Sequence, residues 1–216
     1  MKTAAIFDLD GTILDSMGVW SEADAKFLGK YGYVPDTAYM EKIVTLPFTD
    51  GAQYILERYG LPLTVQQVKE ELFHLAYDAY AYHVPLKDGV REYLQRLQDK
   101  KVPMAVATSG VKQMCEAAMK RLGLEQYFDA VVYTEEIGKN KEFPDVFYRA
   151  AKEMKCAPDC CLVFEDSPHA VLGAHQAGMG VIGIYDDFSK GSEQFMRKNC
   201  LRYIRSYYEL MEQDVF

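Results

Sequence analysis

Short apolar runs alternate along this chain with segments of helical periodicity, and no other feature constrains its fold as much. Residues 4–7 (Ala-Ala-Ile-Phe) form the first run, and residues 102–107, 130–133, 161–164 and 180–184 form four more. Apolar runs this short, bounded by turn residues, predict strands buried on both faces. Between them, Val90, Tyr93, Leu94 and Leu97 share one helical face. Val111, Met114, Cys115, Ala118, Met119 and Leu122 share another. Strands alternating with helices predict an α/β fold, a Rossmann-like parallel sheet covered on both faces, with ligands at the carboxyl ends of its strands.

Residues 17–83 break the alternation. They carry helical patterns over 22–31, 49–59 and 65–80 and no convincing strand. The predicted organisation is therefore an α/β core made of residues 1–16 and 84–216, with a small all-helical insert, residues 17–83, after the first strand. A length of 216 residues accommodates one domain with such an insert. With 24 Lys and Arg against 32 Asp and Glu, the net charge of −8 argues against nucleic acid as a partner. Five cysteines with no C-x-x-C pair predict reduced thiols and neither a disulfide frame nor a zinc site. No apolar run approaches the roughly 18 residues of a membrane helix. Asp8 and Asp10 interrupt the apolar start before it could serve as a signal peptide, so a cytoplasmic location is expected.

Residues 7–12, Phe-Asp-Leu-Asp-Gly-Thr, carry the clearest chemistry. On an extended strand, residues two apart point the same way, so Asp8 and Asp10 can converge beyond the sheet. Gly11 frees the backbone to turn, and Thr12 can hydrogen-bond within the turn. Two such carboxylates repel each other and call for a cation or a shared proton. Taken alone, the peptide could equally be an Asp-rich surface turn.

This peptide resembles the first motif of the haloacid dehalogenase superfamily of phosphatases, and three further segments match that family in order. Val106-Ala107-Thr108-Ser109-Gly110 matches the strand ending in a hydroxyl residue, where a helix N-terminus can assist anion binding. Lys141 stands ahead of Pro144-Asp145 at the spacing of the family's lysine. Lys139 is its rival, and Pro144 as first helical residue favours Lys141. Glu165-Asp166 after an apolar strand matches the acidic motif, a pair of hard-cation ligands suited to Mg²⁺. One departure is Ala170, where the family often has Gly.

The resemblance covers nearly the whole chain, the insert falling where the family's helical cap follows the first strand. It implies a Mg²⁺-dependent phosphatase that hydrolyses a small phosphorylated metabolite through an aspartyl-phosphate. Asp8 would be the nucleophile and Asp10 the general acid and base. Thr108, Ser109 and Lys141 would hold the phosphoryl oxygens. Mg²⁺ would take Asp8, the Asp10 backbone carbonyl and Asp166, with Glu165 a ligand or the partner of one. The cap would open and close over the site, and a monomer is expected. A sugar-phosphate mutase of the β-phosphoglucomutase type shares all four motifs. There a His and an Arg bind the distal phosphate, near positions held here by Trp20 and Phe48, so hydrolysis is favoured. A phospho-accepting receiver module is a more distant alternative, because its acidic pair follows the first strand and its chain is shorter. His169 is read as a solvated helix-start residue. The eight tyrosines between Tyr31 and Tyr82 are read as core aromatics of the insert.

Overall fold

A computed structural model describes residues 3–43, 46 and 48–211, all but the side chain of Lys190. In chain order the elements are β1 (Ala4–Phe7), α1 (Val19–Gly29), α2 (Thr37–Ile43), α3 (Phe48–Tyr59), α4 (Val65–Tyr82), α5 (Val90–Asp99), β2 (Met104–Thr108), α6 (Lys112–Arg121) and β3 (Ala130–Tyr133). There follow α7 (Thr134–Ile137), α8 (Asp145–Glu153), β4 (Cys161–Glu165), α9 (Pro168–Gln176), β5 (Gly180–Ile184), α10 (Glu193–Asn199), β6 (Arg202–Ile204) and α11 (Tyr208–Met211). The chain divides into two compact units, Met1–Met17 with Val84–Phe216, and Gly18–His83.

The larger unit is built on one six-stranded sheet in the order β3-β2-β1-β4-β5-β6, and every neighbouring pair is parallel. This is the doubly wound order, in which the chain leaves β1 toward one edge and later returns to build the other. The carboxyl ends of β1 and β4 therefore flank the point where the winding reverses, the place where such sheets bind ligands. Side-chain alternation along β1 explains why both faces are buried. Ala4 and Ile6 pack with Val146, Phe147 and Ala150 of α8 and with Val171 and Ala174 of α9. Phe7, on the opposite face, stacks on Phe164 at 4.3 Å between ring centroids, and Phe164 leads on to Tyr93 and Tyr207. The predicted α5 face is buried as a set, whereas on α6 only Met114, Cys115, Ala118 and Met119 are buried. Val111 caps that helix and is exposed.

Several elements differ from the sequence-based expectation. β6 is a sixth strand outside the five apolar runs; it has three residues, and only Ile204 is buried. Residues 134–136, an acidic stretch outside the predicted helical segments, open the short helix α7 with both glutamates exposed. β2 starts at Met104, after Pro103, whose carbonyl accepts from the Ala5 amide but which has no N–H to offer the ladder.

In the smaller unit four helices, α1 to α4, surround a core of Ala23, Phe27, Leu28, Tyr39, Ala52, Ile55, Val68 and Leu72. The unpredicted α2 begins where an Asp36 carboxylate oxygen accepts from the Tyr39 amide at 2.7 Å. Of the tyrosines assigned to this core, Tyr39 and Tyr80 are buried, while Tyr31, Tyr33 and Tyr82 are exposed. α4 is entered through a capping box between Thr64 and Gln67.

One charge is misplaced for stability. Asp24 lies on the buried face of α1, and the Tyr39 hydroxyl approaches it without completing a good hydrogen bond. Burial pushes its carboxyl up from 3.8 to about 6, and Tyr39 offsets only part of that. A raised folded-state value favours folding below the unfolded value and loses that contribution as pH rises through about 6. Asp24→Asn should therefore stabilise the protein by about 1–2 kcal/mol at neutral pH and by nothing near the unfolded carboxyl value. Thermal unfolding of both proteins across that range measures it; an equal gain at every pH would place the cause elsewhere.

Candidate active site

β1 ends one residue before Asp8, and the Asp8 amide donates to the Phe164 carbonyl of β4 at 2.9 Å. That bond continues the ladder and fixes the nucleophile candidate at the reversal point. The chain then closes a tight turn: the Ile13 and Leu14 amides donate to the Leu9 carbonyl at 3.0 and 2.8 Å, and the Gly11 amide to the Leu14 carbonyl at 2.9 Å. Gly11 has φ of 80°, and a Cβ there would lie 2.5 Å from an Asp166 carboxylate oxygen. Conformation and space both demand glycine. Asp10 is outside the acidic cluster: the buried Ser16 hydroxyl donates to its Oδ1 at 2.6 Å, and its Oδ2 faces Gly110 just beyond the end of β2, where a Cβ would lie 2.6 Å from it.

The other predicted residues arrive from neighbouring strand ends. Thr108 closes β2, is fully buried, and accepts from the Gly110 amide at 2.9 Å through Oγ1. Ser109 beside it is exposed. Lys141 comes from the segment between α7 and α8; its Nζ donates to Asp8 Oδ1 and, at 2.7 Å, to Glu165 Oε1. Lys139 instead pairs with Asp145 at 2.8 Å on the surface. Pro144 caps α8 and does not open its first turn, a shift of one position from the expected helix start. Glu165 ends β4, and its second oxygen accepts from the Ser167 amide at 2.8 Å. His169 makes an exposed contact of 2.9 Å with Glu142 and takes no part in the cluster.

Asp8, Glu165 and Asp166 bring carboxylate oxygens within 4.8 Å of one another, and all three residues are buried. Three carboxylates face one ammonium. Burial works against the charge on Lys141, yet Asp8 and Glu165 outweigh it and hold the ammonium above its ordinary range. Burial pushes Glu165 up to about 7, with Lys141 opposing and Asp8 adding to the rise. Burial, then Glu165 and Asp8, raise Asp166 well above the usual carboxylate range. Asp8 Oδ2 is buried and has no hydrogen-bond partner. An orphaned carboxylate oxygen beside two crowded acids, all hard oxygen donors, fits a hard divalent cation.

Two contributors had no motif to announce them. Ser16 reaches Asp10 only because the turn folds back. Gly173 of α9 lies against the segment carrying Lys141, where a Cβ would sit 2.0 Å from the Lys141 carbonyl oxygen. Gly173→Ala must push that segment outward. It should cost about 2 kcal/mol of stability and lower turnover at least about tenfold through a displaced Lys141. Wild-type turnover in a folded Gly173→Ala protein would show that Lys141 tolerates displacement.

The family profile of haloacid dehalogenase-like hydrolases matches residues 5–184. A fructose-1-phosphate phosphatase from Escherichia coli is 34% identical over 182 residues, covering 83% of this chain and 94% of that protein. The bifunctional riboflavin kinase/FMN phosphatase of Arabidopsis thaliana is 31% identical over 185 residues, 85% of this chain, which spans only 48% of that longer protein. A crystal structure of a Thermotoga maritima protein assigned as a β-phosphoglucomutase superposes with a TM-score of 0.87, covering 98% of this chain and 97% of the other. At 23% identity that last likeness is one of fold. The profile match, spanning most of the chain, and the E. coli relative establish that this chain belongs to the haloacid dehalogenase-like hydrolases.

Proposed function

We propose that the chain is a Mg²⁺-dependent phosphatase that hydrolyses a small phosphorylated metabolite through an aspartyl-phosphate on Asp8. The observation that carries this reading is Asp8 itself: one oxygen held by Lys141, the other buried and unpartnered beside Asp166. Asp8, Asp166 and the Asp10 backbone carbonyl would hold the metal, with Glu165 as a further ligand or as the anchor of Lys141. Bound there, Mg²⁺ supplies charge stabilisation to the transferring phosphoryl group.

Asp8 forms a bond to phosphorus as the ester P–O bond breaks, and Asp10 gives its proton to the departing oxygen. Water then attacks phosphorus, gives its proton to the Asp10 carboxylate, and the Asp8–phosphorus linkage breaks to release phosphate. Ser16 keeps the Asp10 carboxyl group aimed during both transfers. Thr108 and Lys141 bind phosphoryl oxygens and offset their charge; Ser109, being exposed, contributes its position next to the Gly110 amide.

The sugar-phosphate and other phosphatases among the relatives support a phosphorylated metabolite as substrate. The mutase alternative has the fold likeness in its favour. Against it, the Phe48 ring packs on Trp20 at 5.3 Å between centroids, with Lys69 Nζ 5.8 Å from the centre of the Phe48 ring. Neither aromatic ring can offer a charge-assisted hydrogen bond to a distal phosphate. No helix among the described residues is long and apolar enough to cross a membrane, and the reading takes the enzyme as a cytoplasmic monomer.

The test is phosphate release from a panel of phosphorylated sugars, phosphoglycolate and nucleotides, with Mg²⁺ and after its removal. β-Glucose 1-phosphate, primed with a trace of the 1,6-bisphosphate, is included. Metal-dependent phosphate release supports the reading. Glucose 6-phosphate forming much faster than phosphate would replace it with the mutase.

A further inference from the structure

Lys87 and Asp186 stand 99 residues apart in sequence and form an ion pair of 2.6 Å between Nζ and Oδ2. Their side chains are only 12% and 3% exposed. Lys87 Nζ also donates to the Tyr185 carbonyl at 3.1 Å, and the Phe188 amide donates to Asp186 Oδ1 at 2.8 Å. Both carboxylate oxygens of Asp186 are thus engaged, and Asp186 is outside the acidic cluster of Asp8, Glu165 and Asp166. A buried pair of this kind loses most of its attraction to desolvation, so stability alone is a weak reason for it.

Its position suggests another. β5 runs beside β4 with Gly183 opposite Glu165, so Asp186 leaves the sheet next to the strand that delivers Glu165 and Asp166. At strand spacings of about 4.8 Å and a rise of about 3.3 Å per residue, the Asp186 and Asp166 Cα positions lie on the order of 8 Å apart. Asp186 also joins burial, Glu165 and Asp8 among the influences raising the Asp166 carboxyl. Lys87 belongs to the short stretch that re-enters this unit. There the Asp15 amide donates to the Pro85 carbonyl at 3.0 Å and the Lys87 amide to the Ile13 carbonyl at 2.9 Å.

We infer that Lys87 is a positioning residue for the cation site: it neutralises Asp186 and ties it down, so that the site offers three carboxylates and not four. The inference rests on the reading of Asp8, Glu165 and Asp166 as metal ligands. A fourth ionised carboxylate would oppose the arrival of a phosphate dianion. It would also favour Ca²⁺, which accepts more oxygen ligands than Mg²⁺. The Phe188 amide still holds Asp186 Oδ1 in place once Lys87 is gone.

The experiment is calorimetric titration of the metal-free protein with MgCl₂ and CaCl₂, for wild type, Lys87→Met, Asp186→Asn and the double variant. Removing the cation should tighten Mg²⁺ binding on the order of fivefold and Ca²⁺ binding more. Removing the anion should weaken Mg²⁺ binding by a similar factor, and the double variant should return to within about twofold of wild type. Opposite signs followed by restoration cannot come from a merely structural pair, whose loss would lower thermal stability and move both affinities the same way or neither. Thermal unfolding is recorded for each protein; if Lys87→Met does not fold, Asp186→Asn and the double variant still test the sign and the restoration. Equal Mg²⁺ affinity in the folded variants, with wild type binding, overturns the inference and leaves the phosphatase reading standing. Absence of Mg²⁺ binding by wild type overturns the metal assignment, and the inference with it.

Discussion

Asp8→Asn is expected to reduce phosphate release by about 10⁴-fold or more while leaving the fold intact. The amide is isosteric with the carboxylate, so it can turn its oxygen toward Lys141 and its nitrogen toward the buried space now occupied by Oδ2. What it lacks is the nucleophile, since a carboxamide has no anionic oxygen with which to form an acyl-phosphate. Three measurements separate this from general damage. Thermal unfolding should stay close to wild type, the substrate should still bind, and rapid acid quench should show a phosphoryl mass gain in wild type that is missing in the variant. Activity within about tenfold of wild type would sink the covalent route and move the attack to water.

That this residue could be singled out in the sequence follows from where the chemistry sits. Asp8, Thr108 and Glu165-Asp166 each stand at the end of an apolar strand, so a run of buried residues points directly at each candidate group. Lys141 has no strand to mark it; it was legible through its distance to Pro144, and its neighbour Lys139 is equally basic. Spacing favours Lys141, and the fold separates the two outright by burying one against Asp8 and leaving the other on the surface. β6 and α2 leave no periodic pattern in the sequence because each buries a single residue. Ser16, Gly173 and the Lys87–Asp186 pair depend on how distant segments meet, and no local propensity encodes such meetings. The helical insert was legible as a break in the alternation of strands and helices. Its Asp24 was not, since one acidic residue on a helix ordinarily faces water and here lies within the packed face of α1.

The second large effect concerns Lys141. Its ammonium is the cation that bridges Asp8 and Glu165, and both partners are buried. Lys141→Met keeps most of the side-chain volume but leaves the three carboxylates of the cluster facing one another without it. Breaking a buried ion pair from one side costs about 3–5 kcal/mol, because the remaining charges are desolvated and uncompensated. The metal-free variant should therefore unfold at a much lower temperature than wild type. On the proposed role of Lys141 as a phosphoryl-binding cation, its loss should also lower turnover by about 10³-fold. The distinguishing feature is how the defect responds to metal. If Asp8, Glu165 and Asp166 share one cation site, added Mg²⁺ should restore more stability to Lys141→Met than to wild type, since it neutralises charges the ammonium no longer covers. Turnover should stay low even at saturating Mg²⁺, because the metal can replace the charge of Lys141 but not the contact with phosphoryl oxygens proposed for it. Unfolding temperatures with and without Mg²⁺, set beside phosphate release at saturating Mg²⁺, decide the matter. Equal Mg²⁺ stabilisation of the two proteins would separate Lys141 from the metal site, and full recovery of turnover would reduce its role to balancing charge.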